Sequence, residues 1–176
     1  TIDESIALIT TANSVVQNPN VVGTAMKTLS LRLRGAKVEL EEAGLEVDGM
    51  AESTATLQEK LKALTHGKVD IMLNPDTFKN TTQIIREMAA AWEDMTDIER
   101  ASALELMGGK RQANVLSALI TNWDMAEKAI QASVDSQGSA VAENAKYMDS
   151  IQGRIDQFNN ATQTMWANFI SDDLIK

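Results

Sequence analysis

Two runs of helical periodicity meet at a pair of glycines, and that junction constrains the chain more than any other stretch. Between Met95 and Trp123 the sequence reads MTDIERASALELMGGKRQANVLSALITNW. Thr96 followed by Glu99 has the spacing of a capping box, so a helix is expected to begin there. Ile98, Ala101, Leu104 and Met107 then recur at helical intervals. Gly108-Gly109 ends the run, because glycine enters left-handed backbone geometry without a Cβ clash. A second run resumes at Lys110, with Val115, Leu116, Leu119, Ile120 and Trp123 on one side. Two short helices that each carry an apolar face must fold back to hide it, so a helical hairpin or corner is predicted. Arg111 and Gln112, just past the glycines, are expected to hold carbonyls at the end of the preceding helix.

Upstream, the same logic places further helices. Thr1 and Glu4 form another possible capping box, and Ile2, Ile6, Ile9, Ala12 and Val16 follow at helical spacing. Asn18-Pro19-Asn20 stops that helix, since proline pushes Asn18 toward extended geometry. Val22, Met26, Leu29, Leu33, Ala36, Leu40 and Ala43 then alternate in steps of four and three, a heptad seam over one long helix capped at Gly44. Residues 46–52 read as a loop. From Ser53, Leu57, Leu61 and Leu64 share a helix face that ends at His66-Gly67.

The period then changes to two: Val69, Ile71 and Leu73 alternate with Lys68, Asp70 and Met72. With Asn74-Pro75-Asp76 as a turn and Thr77-Phe78-Lys79 returning, this predicts one small β-hairpin over about 68–79. Thr81 or Thr82 caps the next helix, which carries Ile84, Ile85, Met88, Trp92 and Met95. A short helix is predicted over 124–134, with Ala126, Ala129 and Ile130 inward, before a break at Gly138-Ser139. A long C-terminal helix follows through Val141, Met148, Ile155, Phe158 and Met165. The fold class is therefore mainly α: a multi-helix domain over 1–138 with one small hairpin, and a helical arm over 139–176 that could pack on the same domain.

Chemistry is sparse. A single histidine, His66, and no cysteine rule out His-His and Cys-ligated metal sites. His66 beside Gly67 fits a helix end, where a cation suits the dipole. The Gly108-Gly109-Lys110-Arg111 run lacks both the earlier glycine and the Ser or Thr of a phosphate loop. The acid pairs Glu41-Glu42, Glu93-Asp94 and Asp172-Asp173 point different ways on a helix and read as solvated surface. Net charge −9 disfavours phosphate-backbone and anionic-membrane binding. No apolar run reaches the roughly 18 residues of a membrane span. Lys27, Arg32, Arg34 and Lys37 form the one basic cluster, and pairing with Glu39, Glu41 and Glu42 is expected. The nine methionines and the three tryptophans, Trp92, Trp123 and Trp166, fall mostly at core-facing positions. No catalytic residue, metal or cofactor is predicted.

The order of several short pieces resembles tail tape measure proteins of long-tailed phages and prophages. These pieces are Val22-Gly23-Thr24-Ala25-Met26-Lys27-Thr28-Leu29, Gly108-Gly109-Lys110-Arg111-Gln112, Asn114-Val115-Leu116, Asn122-Trp123-Asp124, Gly138-Ser139-Ala140 and Tyr147-Met148-Asp149-Ser150-Ile151. The resemblance covers nearly the whole chain, in order. It implies a non-enzymatic structural component that sets tail length, templates tail tube assembly and leaves during genome ejection. It further implies other copies of itself, tail tube and baseplate proteins and tail assembly chaperones as partners, and a place in the tail lumen after synthesis in the bacterial cytoplasm. The chain opens on Thr1 rather than Met, and a piece of a longer protein near its N-terminal part is expected. Self-association is expected along two seams, Val22, Met26, Leu29, Leu33 and Leu40, and Val141, Met148, Ile155, Phe158 and Met165. A host-side helical interaction or scaffold module is the alternative reading.

Overall fold

The computed structural model describes residues 2–135. Its elements follow one another as α1 (Ile2–Val16), α2 (Pro19–Arg32), α3 (Lys37–Glu42), α4 (Thr54–Leu64), β1 (Met72–Asn74), β2 (Thr77–Phe78), α5 (Thr81–Ala91), a 3-10 turn (Trp92–Asp94) and α6 (Asp97–Thr121). The chain is helical again over 123–135. Residues 1–130 form one unit and 131–176 a second; the description below concerns the first. It is mainly helical, with one small antiparallel hairpin.

Local chemistry sets most boundaries. Asn18 accepts the Val21 amide, and Pro19 occupies the first helical turn, where its missing N–H costs nothing. Ser53 accepts the Thr56 amide to start α4. Reciprocal capping boxes open α6 at Thr96 and Glu99, as predicted, and α5 at Asn80 and Gln83 rather than at Thr81 or Thr82. Asparagine wins there because its side-chain oxygen reaches the third amide from the preceding position.

The predicted long helix over 22–43 is two helices. At Gly35, with φ +67°, the amides of Ala36 and Gly35 bond back to the carbonyls of Leu31 and Arg32. That six-to-one, five-to-two pattern terminates α2, and Gly44 closes α3 in the same way. A heptad pattern survives such a break unnoticed, because the spacing of Leu33 and Leu40 is kept while the direction of the chain changes.

The core gathers α2 at its centre, against α1, α3 and α6, with α4 and α5 also packed on α6. Leu29, Leu61, Ile84, Ile85, Met88 and Leu119 are fully buried within it. The hairpin pairs Met72 with Phe78 and Asn74 with Thr77 across an irregular register, and the Lys79 amide extends it to the Ile71 carbonyl. Val69 and Ile71 are buried as predicted, whereas Leu73 is exposed.

Two helix faces differ from the periodic reading. On α1, Ala7, Leu8, Thr11 and Ala12 face in, while Ile6 and Ile9 face out. On α6, Ala103, Leu104 and Met107 are buried, while Ile98 and Ala101 are exposed, Ile98 by 80%. Leu29→Ala should therefore cost roughly 2–5 kcal/mol in urea unfolding, while Ile98→Ser should change stability by less than about 0.5 kcal/mol.

Candidate functional site

The densest polar arrangement lies where α6 breaks. Gly109 has φ 73° and ψ 172°, outside helical space, and α6 continues as two arms on either side. The arms fold back: a Cβ built on Gly108 would lie 2.4 Å from Leu116 Cδ1. Eight residues along a straight helix are about 12 Å apart. The predicted corner is present, and its floor is a glycine covered by a leucine.

Folding a helix in this way strands backbone groups at both new ends. The residues that serve them are not those expected from the sequence. Arg32, at the end of α2 and only 1% exposed, reaches into the corner. Its Nε donates to the Leu106 carbonyl at 3.1 Å and its Nη2 to the Glu105 carbonyl at 3.0 Å. The same guanidinium donates to the Glu46 and Asp48 carbonyls of the 43–53 loop, at 2.9 and 3.0 Å. On the other side, Glu46 Oε2 accepts the Arg111 amide at 2.9 Å. A cation thus sits on the carbonyl end of the first arm and an anion on the amide end of the second, each matched to the local helix dipole. Burial pushes the Arg32 pKa down, while the nearby charges of Glu46, Glu105 and Asp48 oppose the shift.

Gly109 is the residue that lets these groups converge. A Cβ there would stand 2.7 Å from Glu46 Oε2 and 3.4 Å from Arg32 Nη1. Arg111 contributes its amide rather than its side chain, and Gln112 Oε1 is enclosed with no protein partner. The expectation that these two residues hold the helix end is corrected: Arg32 and Glu46 do so. Arg32 was visible as an anomaly, since it falls on the face of Val22, Ala25 and Leu29, three residues past Leu29. Nothing in the sequence marked Glu46.

The remaining basic residues disperse. Lys37 meets Glu41 at 3.9 Å, and Arg34 donates to the Ser30 carbonyl at 3.0 Å. Of the first predicted seam, Val22, Leu29, Leu33 and Leu40 are 0–1% exposed and Met26 is half-buried against the core. The side chains of Val22, Leu29, Leu33 and Leu40 are covered by their own chain, and Met26 keeps part of its surface. Val141, Met148, Ile155, Phe158 and Met165 lie outside the described residues.

One recess on the surface encloses about 420 Å³ and is lined by Thr54, Gln58, Asp70, Met72 and Asn74, among others. Its one acid is fully engaged. Burial would raise the Asp70 pKa. Lys62 at 2.7 Å, the Met72 amide at 2.9 Å and Gln58 at 2.7 Å outweigh it and hold the group at about 2. Asp70 therefore ties the hairpin to α4 and has no proton to give near neutrality. A second recess, about 360 Å³, lies between half-buried Trp92 and Trp123. Arg100 stands 5.5 Å over the Trp92 ring and Arg86 5.8 Å over Trp123, with Arg86 also held bidentately by Glu127. His66, at φ 53° on the end of α4, meets Glu99 at 3.2 Å. Among the described residues no cluster of His, Cys, Asp and Glu is placed to hold a metal ion, and no helix is long and apolar enough to cross a membrane.

The class these features define is a small helical unit whose most elaborate polar chemistry serves its own backbone. No protein-family model matches the chain, and no solved structure matches it either.

Arg32→Met should destabilise the chain by about 3–5 kcal/mol, because four main-chain carbonyls lose their buried donor. Arg32→Lys should recover less than half, since a single ammonium cannot serve four divergent acceptors. Asp70 has its folded pKa (about 2) below the ordinary 3.8, so its contribution is present above about pH 4. It should be lost as pH falls through the folded value. The stability gap between the parent and Asp70→Asn should be about 2 kcal/mol at pH 7 and vanish near pH 2 in pH-dependent denaturation.

Proposed function

We propose that this chain is a structural element of a phage tail, a folded segment of a tape measure protein, and not an enzyme. The observation that carries the reading is what the resembling pieces do in the fold. Gly109 makes the corner, Val115 and Leu116 bury against it, and Leu116 covers Gly108. Asn122 closes the second arm, its amide and side chain both donating to the Ala118 carbonyl at 3.1 and 2.7 Å. Each matched piece within the described residues serves shape rather than reaction. Asp70, the acid of the recess beside the hairpin, is likewise spent on tying the hairpin to α4.

Geometry limits how the segment would act. Even fully helical, 176 residues reach only roughly 260 Å, and the corner and hairpin shorten the folded form further. In this reading the folded unit is a fixed node, and helical sequence elsewhere in the parent protein spans the tail. Tail tube proteins, baseplate proteins, assembly chaperones and sister copies are the partners, met in the tail lumen after synthesis in the host cytoplasm. A host-side helical scaffold would use the same packing, and no observation favours it.

Purified tails from the phage or prophage encoding the chain should contain it by mass spectrometry. In-frame insertion of 28 helix-forming residues in a helical stretch of the parent protein outside this unit should lengthen those tails by about 42 Å. Tails that lack the chain, or keep their length after insertion, would discard the reading.

A further inference from the structure

In an unbroken helix the Leu106 carbonyl would accept the Lys110 amide, and the Met107 carbonyl the Arg111 amide. Here Leu106 accepts from Arg32, and the Arg111 amide donates to Glu46. Side chains from α2 and the 43–53 loop serve backbone groups that a straight helix would pair internally. The sequence on both sides, ALELM before the glycines and KRQANVLSAL after, is rich in strong helix formers. Residues 97–121 consequently have two backbone arrangements that satisfy their hydrogen bonds, one bent and one straight.

We propose that Gly109 is a two-state hinge, latched bent by Arg32 and Glu46, and that the straight state is taken up by a second copy of this chain. Straightening pulls Val115, Leu116, Leu119 and Ile120 from the core, where all four are at most 3% exposed. An open monomer would leave that surface and its vacated seat in water. A sister copy opened in the same way offers a seat of identical shape, so exchange of the second arm restores every core contact. The latch sets the balance: it exists only in the bent state, and Gly109 is the one position in α6 with non-helical backbone. This inference stands on the corner alone and does not depend on the tail reading.

The test uses the full chain, whose lack of cysteine permits clean spin labelling at two introduced sites. Ile98→Cys and Thr121→Cys mark exposed positions at the two ends of α6. In a straight helix these sites are about 35 Å apart along the axis; with Leu116 folded onto Gly108 they are closer. Gly109→Ala removes the residue that tolerates the bend and pushes a methyl against Glu46. Electron-spin distances, measured with labelled chains diluted in unlabelled ones, should lengthen to about 35 Å, and light scattering should show a doubled mass. Glu46→Ala opens the latch while keeping the glycine, and should give a long-distance fraction severalfold above the parent, growing with protein concentration. If Gly109→Ala loses its helical circular dichroism, Glu46→Ala decides alone. A short distance with monomer mass in Glu46→Ala overturns the proposal, and so does a doubled mass in which the distance stays short.

Discussion

One guanidinium organises this fold. Arg32 is held away from water, which is unfavourable for a charge unless every donor finds an acceptor. The four acceptors it finds are main-chain carbonyls from two separate stretches, 46–48 and 105–106. A carboxylate could neutralise it from one side, but four carbonyls fix its position in three dimensions. The result is that the end of α2, an irregular loop and the corner of α6 share a point that none can leave alone. Hydrophobic burial supplies most of the stability here as elsewhere, yet it is indifferent to where a loop runs. The direction comes from Arg32.

That division between burial and direction also explains which parts of the fold were legible in the sequence. Capping boxes, a proline after asparagine and glycines at helix ends act within four residues, so their signals are local. Thr96 with Glu99, Ser53, Asn18-Pro19 and Gly108-Gly109 could all be read directly. The hairpin was legible from its change of period and its Asn-Pro-Asp turn. Faces were less so. Choosing Ile6 and Ile9 over Ala7 and Leu8 on α1 means preferring the greasier stripe, and the structure prefers the stripe whose small residues let helices approach. The seam over 22–43 failed for a different reason: a glycine in the left-handed region changes direction without disturbing the spacing that suggested one helix.

The corner itself was half visible. Two glycines between amphipathic runs announce a break, but the groups that seal it come from 60 to 80 positions earlier in the chain. Glu46 lies in a loop with no periodicity, and its role depends on where that loop happens to pass. Arg32 did leave a trace, as a charge at a position where Val22, Ala25 and Leu29 lead one to expect an apolar residue. A charged residue in register with a buried face is either an error in the register or a structural cation, and its surroundings distinguish the two. Here two carbonyl-bearing segments, 46–48 and 105–106, converge at the helix end it occupies, and they make it structural.

The same reasoning bears on what a likeness between helical chains can rest on. Leucine, isoleucine and methionine exchange freely along a buried stripe, because volume and polarity are nearly kept, so two helical proteins share such stripes without being akin. A corner is less forgiving. At Gly109 the backbone conformation excludes side chains, at Gly108 Leu116 occupies the space of a Cβ, and at Asn122 the side chain completes a helix end. At Gly108 and Gly109 a side chain has no room beside the opposite arm and Glu46, and both lie in one of the short pieces that the sequence reading singled out. In the described residues the joint, rather than the recesses on the surface, is where the shape of this unit is most tightly specified.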